Sequence, residues 1–271
     1  MKEQKIMRIT MLGEFQIQCG DILITDQNSR SKKPWNLLEY LITFREKELS
    51  QYDLIEMLWP EEDSDNPAGA LKTLLHRVRK ILDPIKAMGM EDLIVQRRGT
   101  YSWNNTINFH VDVDDFEQSY KKALSLNTSD PERLKLLLQT IHMYKGDFLP
   151  KSASEAWVVP INTYYHSLYL EIVHAAISQL EEQHDYNQIC DICRTAINID
   201  PYDEQLYYRF ISALYESGNQ HAAIQQYEYS TDLFLHKLGI TPSNELKALY
   251  RKIIKTSKRL ETDLGAIEAE L

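Results

Sequence analysis

Residues 50–103 constrain the fold of this chain most strongly, because they carry start and stop signals for consecutive helices and a hairpin. Ser50 and Asp53 have the spacing of a capping pair, which places the start of a helix at this point. We predict this helix over 51–58, with Pro60 as its stop and an acidic loop directly after it.

A longer helix is predicted over residues 66–82. Asn66 suits an N-cap and Pro67 a first helical position, and Asp83-Pro84 is expected to end the helix. Apolar residues recur at i, i+3, i+4 and i+7, so one face is buried. The other face carries Lys72, Thr73, His76, Arg77, Arg79 and Lys80. Since an α-helix fits the DNA major groove, this face is a candidate recognition surface; the alternative is a solvated helix face.

A hairpin is predicted over residues 93–103, where β-forming residues flank Arg97, Arg98 and Gly99. Gly99 lies at or near its turn. A capped helix, a basic helix and an arginine-bearing hairpin in this order are typical of a winged helix-turn-helix. Arg97 and Arg98 suit a wing that contacts the DNA minor groove or its phosphates, and the alternative is an exposed turn with two solvated charges.

The N-terminal part of the chain predicts short strands and then a helix. Residues 6–24 alternate between apolar and polar side chains, which indicates two or three strands and a further one around 22–24. A helix is predicted over 34–48, with Pro34 at its first position. Near its start are Arg30, Lys32 and Lys33. We weigh equally a phosphate contact by these residues and a purely solvated role.

The net charge of −10 argues at first against nucleic acid, but it is unevenly distributed. Residues 1–110 carry 15 basic and 16 acidic side chains, whereas residues 111–271 carry 15 and 24. Within 66–80 there are four basic residues and no acidic one. A DNA-binding protein needs a local basic face and not an overall basic charge.

Two domains are expected, because strand signals vanish from about residue 111. We assign residues 1–110 to a winged-helix DNA-binding domain and residues 111–271 to an all-α domain. The predicted fold class is therefore multidomain, α+β and then all-α. The chain shows no apolar run of membrane-spanning length, no secretory signal and only three cysteines, so a cytoplasmic protein without a membrane partner is expected.

The second domain has the pattern of a helical repeat. His184 and Gly218 lie 34 residues apart in corresponding turns, and similar helices follow them. Small and aromatic residues after each turn match a tetratricopeptide-like unit. A more degenerate unit is predicted over 114–148, and a final helix over 243–261 caps the stack.

Other chemistry-bearing residues have ordinary packing explanations. Cys190 and Cys193 lie in a predicted helix without a second ligand pair, so buried structural cysteines are favoured over a zinc site. The tyrosines of the helical domain are assigned mainly to inter-helix packing, with a peptide- or ligand-binding concave surface as the alternative. No metal, cofactor or catalytic arrangement is predicted, so an enzyme is the least supported class.

The order of these motifs resembles the SARP/BTAD-type bacterial transcriptional activators, which join an OmpR-type winged helix to a bacterial transcriptional activator domain of tetratricopeptide-like helices. The resemblance covers about residues 8–255. It is carried by Leu12-Gly13, Leu58-Trp59, Arg77-Val78-Arg79-Lys80, Gly99, Tyr101, Asp115-Phe116, Phe148-Leu149, Asp200-Pro201, Gly218 and Leu238-Gly239-Ile240 with Pro242.

The resemblance implies a non-enzymatic activator that binds direct repeats in double-stranded promoter DNA and recruits RNA polymerase. Direct repeats need two copies on DNA, and whether the copies pair off DNA stays open. The loop that matches the family's polymerase contact comprises Glu61, Glu62, Asp63, Ser64 and Asp65. Family members often have a more basic N-terminal domain, so DNA affinity here is expected to be modest or salt-sensitive.

Two alternatives remain open at this point. One is a regulator whose helical domain binds a small molecule or peptide and controls DNA affinity. The other is a protein-interaction scaffold whose winged helix has lost DNA binding, against which the absence of acidic residues in 66–80 argues.

Overall fold

The computed structural model describes residues 6–27, 29, 31–60 and 66–269, with side chains described as far as residue 256. Arg30 and the predicted polymerase-contact loop, residues 61–65, lie outside the described residues.

The chain forms two compact units. The first combines the described residues up to Ser119 with Met143–His166, which we call the return segment, and the second combines Tyr120–His142 with the residues from Ser167 onward. The expected boundary between residues 110 and 111 stays a prediction.

Among its described residues, the first unit has seven strands and three complete α-helices. In chain order these are β1 (Met7–Thr10), β2 (Gln16–Cys19), β3 (Ile22–Thr25), α1 (Lys32–Thr43), β4 (Leu49–Ser50), α2 (Gln51–Leu58), α3 (Pro67–Lys86), β5 (Ile94–Arg97), β6 (Thr100–Trp103) and β7 (Phe109–Val111). One sheet has the order β3-β2-β1-β7 and the other β4-β6-β5.

The helix starts follow from their caps. Ser50 Oγ accepts from the Asp53 amide at 3.1 Å, and an Asp53 carboxylate oxygen accepts from the Ser50 amide at 2.9 Å. Asn66 Oδ1 accepts from the Gly69 amide at 2.9 Å, and Pro67 takes the first helical position. The predicted N-caps of α2 and α3 are confirmed.

Two predicted helix ends are wrong. α3 continues through Pro84 to Lys86, because the buried Ile85 holds its last turn against the core. A proline here removes only one hydrogen bond near the helix end. α1 ends at Thr43 and not at residue 48, since Leu49 pairs with Tyr101 as part of a sheet.

The hairpin has the predicted turn. β5 and β6 pair antiparallel from Ile94 with Trp103 to Arg97 with Thr100. Arg98 and Gly99 form the two-residue connection, with φ values of 47° and 89°. Positive φ at both positions is the requirement of a type I′ turn, which glycine meets without strain.

The return segment completes the core of the first unit. Leu12 forms an antiparallel bridge with Phe148, and the Leu149 amide donates to the Met11 carbonyl at 2.9 Å. β7 pairs in parallel with β1, so a strand that was not predicted closes one side of the sheet.

The remaining elements are helical: α4 (Asp112–Ser125), α5 (Pro131–Met143), a short 3-10 turn (Pro150–Ser152), α6 (Val158–Glu182), α7 (Tyr186–Ile199), α8 (Glu204–Glu216), α9 (Gln220–Leu233), a π-turn (Phe234–Leu238) and α10 (Asn244–Ala269). Within the described ranges, no helix has the length and apolar character needed to cross a membrane.

The predicted repeat is present in the second unit. His184 and Gly218 both have positive φ, at 56° and 83°. After them the Asp185 amide donates to the Leu180 carbonyl at 3.1 Å, and the Asn219 amide donates to the Leu214 carbonyl at 2.8 Å. Equivalent atoms thus close equivalent helix ends 34 residues apart, as two copies of one helix-turn-helix unit require.

Candidate nucleic-acid interface

Helix α3 separates a buried face from a polar face. Leu71, Leu75 and Val78 are at most 1% exposed, and they fix the helix against the core. All six predicted recognition residues are exposed: Lys72, Thr73, His76, Arg77, Arg79 and Lys80. A rigid helix with an exposed basic face can present side chains to a nucleic acid without reorganising its backbone.

The polar face has two parts. Thr73, His76, Arg77 and Lys80 follow the i, i+3, i+4, i+7 spacing and form one stripe, which we call the outer stripe. In the described part of the chain, no carboxylate forms an ion pair with Arg77 or Lys80. These two charges are therefore available to an external anion.

Lys72 and Arg79 lie beside the outer stripe, about a quarter turn round the helix from the middle of the stripe. Asp92 lies near the flank occupied by Arg79, and it forms an ion pair with Lys86. The hydrogen bond from Lys86 is the main cause that lowers the pKa of Asp92, and the charge of Arg79 lowers it more weakly.

A groove of about 590 Å³ adjoins the outer stripe. Its basic lining comes from two helices, with Lys32 and Lys33 at the start of α1 and Arg77 on α3; Ser31, Trp59, Ala70, Thr73 and Leu74 complete it. The Lys33 ammonium lies 5.0 Å from the centroid of the Trp59 ring. No described residue with a carboxylate lines this groove, so it suits an anionic group such as a phosphate.

The sequence did not assign Trp59 to the site. The sequence signal that could have assigned it is its position directly after α2, at the end of a capped helix. The Lys33 ammonium lies over its ring, and Trp59 forms a wall of the groove.

The hairpin presents two further cations. Arg97 and Arg98 are both exposed, and Arg98 lies in the turn itself. Thr100 Oγ1 donates to the Arg97 carbonyl at 2.7 Å, which fixes the tip of the hairpin. These side chains project from a short, hydrogen-bonded β-ribbon.

The cysteines and several of the tyrosines singled out in the sequence are packed against the protein, whereas Tyr164, Tyr208 and Tyr229 are exposed. Cys190 and Cys193 are buried as predicted, and burial raises the pKa of both thiols. Tyr169 and Tyr207 are buried, and Tyr227 stacks on Tyr250 with ring centroids 4.0 Å apart. Within the described residues, no group of three or more His, Cys, Asp or Glu side chains could hold a metal ion.

Comparison with known families identifies the class of protein. Residues 111–254, just over half of the chain, match the family described as bacterial transcriptional activator domain. The chain therefore belongs to this family, and its architecture is that of the SARP/BTAD-type transcriptional activators.

Two relatives extend this result. The regulatory protein AfsR of Streptomyces coelicolor is 24% identical over 276 residues, which cover 99% of this chain and 26% of AfsR. The chain thus spans about a quarter of the length of that relative. The structure of Mycobacterium tuberculosis EmbR in complex with a low-affinity phosphopeptide has a TM-score of 0.67 and 18% identity, and the match covers 98% of this chain and 71% of EmbR. The likeness to EmbR confirms the predicted fold class, a winged region followed by a helical repeat domain.

Proposed function

We propose that the protein binds specific sequences in double-stranded DNA by placing α3 in the major groove. The observation that carries the proposal is the outer stripe, in which Arg77 and Lys80 are exposed on a capped, well-packed helix and have no described acidic partner. Arg77, Thr73 and His76 contact base edges, and Lys72, Arg79 and Lys80 share base and phosphate contacts.

Phosphate contacts outside α3 orient the protein on the duplex. Lys32 and Lys33 bind a phosphate at the groove near the start of α1, supported by their common lining with Arg77. Arg97 and Arg98 bind the minor groove or its phosphates through the hairpin. Affinity then depends strongly on salt, because each neutralised phosphate releases counterions.

Activation follows from recruitment of RNA polymerase by two copies bound to direct repeats. The proposed contact is the loop Glu61, Glu62, Asp63, Ser64 and Asp65. Replacing its four carboxylates by amides is expected to abolish activated transcription in a purified system while DNA binding is retained. Unchanged activation by that variant would exclude the loop as the contact.

The direct test of DNA binding is a gel-shift titration with promoter DNA. Arg77→Ala is expected to weaken specific binding about 10–100-fold, as loss of one bidentate base contact costs roughly 1–3 kcal/mol. Arg79→Ala also weakens binding, but less, because Arg79 lies about a quarter turn away from the outer stripe. Arg251→Ala, an exposed arginine on α10, is the matched control and should bind like the wild type. Equal binding by Arg77→Ala and Arg251→Ala would contradict the assignment of α3.

A further inference from the structure

A cavity separate from the basic groove lies within the first unit, between α1 and the return segment. Its volume is about 330 Å³. The α1 side of the cavity is formed by Lys32, Trp35, Asn36 and Glu39, which follow the i, i+3, i+4, i+7 spacing of one helix face. Lys151, Ser152 and Glu155 line it from the return segment, and Asp26 lies beside them.

Asn36 offers an unused hydrogen-bond donor to this cavity. The side chain is 6% exposed. Its Oδ1 accepts from Trp157 Nε1 at 2.9 Å, and the indole nitrogen can only donate, so the amide orientation is fixed. No described residue accepts a hydrogen bond from Asn36 Nδ2. Nδ2 is therefore free to donate to a ligand oxygen in the cavity.

Glu39 offers the complementary charge. Its carboxylate is 1% exposed, and Oε2 accepts from Ser152 Oγ at 2.5 Å. No cation among the described residues pairs with it, since the nearby Lys151 ammonium pairs with Asp26 at 3.2 Å. A buried carboxylate normally needs a cationic partner, and an ammonium in the cavity would supply one.

Asn36 and Glu39 are three residues apart on α1, so their side chains are neighbours. A ligand that serves both must carry an ammonium and an acceptor oxygen close together, which is the arrangement of an α-amino acid. We propose that this cavity binds a small amino-acid-type zwitterion, whose ammonium pairs with Glu39 and whose carboxylate accepts from Asn36 Nδ2 and Lys32. The Trp35 ring, which also lines the cavity, provides an apolar surface for the remainder of the ligand.

Such a ligand would act on the DNA-binding surface through a shared residue. Ser31 and Lys32 line both this cavity and the basic groove. A carboxylate bound in the cavity competes with a DNA phosphate for Lys32 and lowers DNA affinity. This coupling rests on the proposed DNA-binding function, whereas occupancy of the cavity does not.

Ligand binding also depends on pH. Glu39 is faced by Asp26, Lys151 and Glu155, and burial is the main cause that raises its pKa to about 7. Only the ionised carboxylate pairs with an ammonium, so affinity is expected to rise as the pH increases through about 7.

The test is thermal unfolding of the full chain with each of the twenty standard L-amino acids as probes. At saturating concentration, at least one is expected to raise the Tm of the wild type by about 2–4 °C. The matched amine or carboxylic acid that lacks the other group should raise it less. Glu39→Gln and Asn36→Asp should abolish the shift; they are nearly isosteric and retain the acceptors for Ser152 and Trp157.

Two controls keep the result interpretable. Lys32→Gln alters an exposed residue and should weaken binding without affecting folding, and Glu46→Gln, exposed and away from the cavity lining, should leave the shift unchanged. The proposal is overturned if no amino acid shifts the wild-type Tm, or if Glu39→Gln and Asn36→Asp shift as the wild type does. Gel-shift titration with the active amino acid then tests the coupling separately. If the amino acid raises the Tm but leaves DNA affinity unchanged, the site stands and the coupling is excluded. If the wild type binds no DNA with or without the amino acid, the proposed function is contradicted instead.

Discussion

Replacing Glu39 by glutamine is expected to stabilise the first unit at neutral and alkaline pH. The Glu39 side chain is buried, its pKa is raised to about 7 from a normal value of 4.5, and the main cause is desolvation. The folded state therefore holds a proton that the unfolded state releases between about pH 4.5 and 7. Because the unfolded state binds fewer protons in that range, stability of the wild type falls as the pH rises through it.

The size of the effect follows from the difference between the two pKa values. A shift of this size corresponds to about 3 kcal/mol at pH 7 and above, and to about 1 kcal/mol at pH 5. Glutamine removes the charge, and its side-chain oxygen still accepts from Ser152 Oγ. Glu39→Gln should therefore be more stable than the wild type by about 3 kcal/mol at pH 8, with the gain nearly gone at pH 4.5.

Urea unfolding followed by tryptophan fluorescence measures this difference. The signal is specific, because all four tryptophans (Trp35, Trp59, Trp103 and Trp157) lie in the first unit. Denaturation midpoints of both proteins are compared at pH 5 and pH 8, with no amino acid present. A Glu39→Gln variant that is less stable than the wild type at pH 8, or equally more stable at both pH values, would exclude the desolvated Glu39 carboxylate as the cause of the pH dependence.

Three further changes test other parts of the structure. Gly13→Ala should destabilise the first unit by roughly 1–3 kcal/mol in urea unfolding, because φ is +90° there and a Cβ would lie 3.2 Å from the Lys145 carbonyl oxygen. Asn66→Ala should cost about 1 kcal/mol in the same assay through loss of the α3 N-cap, and Asn66→Asp should restore most of it. Arg97→Ala with Arg98→Ala should reduce the slope of log affinity for DNA against log salt by about 1–2, measured by fluorescence anisotropy, with an unchanged slope excluding a phosphate contact by the hairpin.

Local sequence signals predicted the parts of the fold that local interactions determine. The capping pair Ser50 and Asp53, the hairpin turn at Gly99 and the repeated turns at His184 and Gly218 all involve residues close together in the sequence. Each has a specific backbone requirement that few residue types meet, which is why the pattern could be interpreted from one sequence.

Contacts between distant segments could not be predicted in the same way. β7 is only three residues long and pairs with β1 about a hundred residues earlier. The Asp112 carboxylate, for which burial raises the pKa to about 6, accepts from the backbone amides of Met11 and Leu12. Neither the strand nor the carboxylate carries a periodic signal, because the partner that stabilises it is remote in the sequence.

The candidate sites differ in the same way, by whether their residues are close together or far apart in the sequence. The exposed face of α3 was predictable from helical periodicity, since its residues share one element. The groove with Trp59 and the cavity at Asn36 and Glu39 depend on residues from separate elements, including the return segment. Only the folded chain brings those residues together.

Sequence-specific DNA binding by α3 is best tested by selection of bound sequences from a random double-stranded DNA pool. The selection is run at two salt concentrations with the wild type and with the folded Arg77→Ala/Arg79→Ala double variant. We predict that the wild type enriches a direct repeat, that raising the salt reduces recovery, and that the double variant enriches no sequence. A well-folded wild type that enriches no sequence at either salt concentration, or a double variant that enriches the same repeat equally well, would exclude sequence-specific DNA binding through α3.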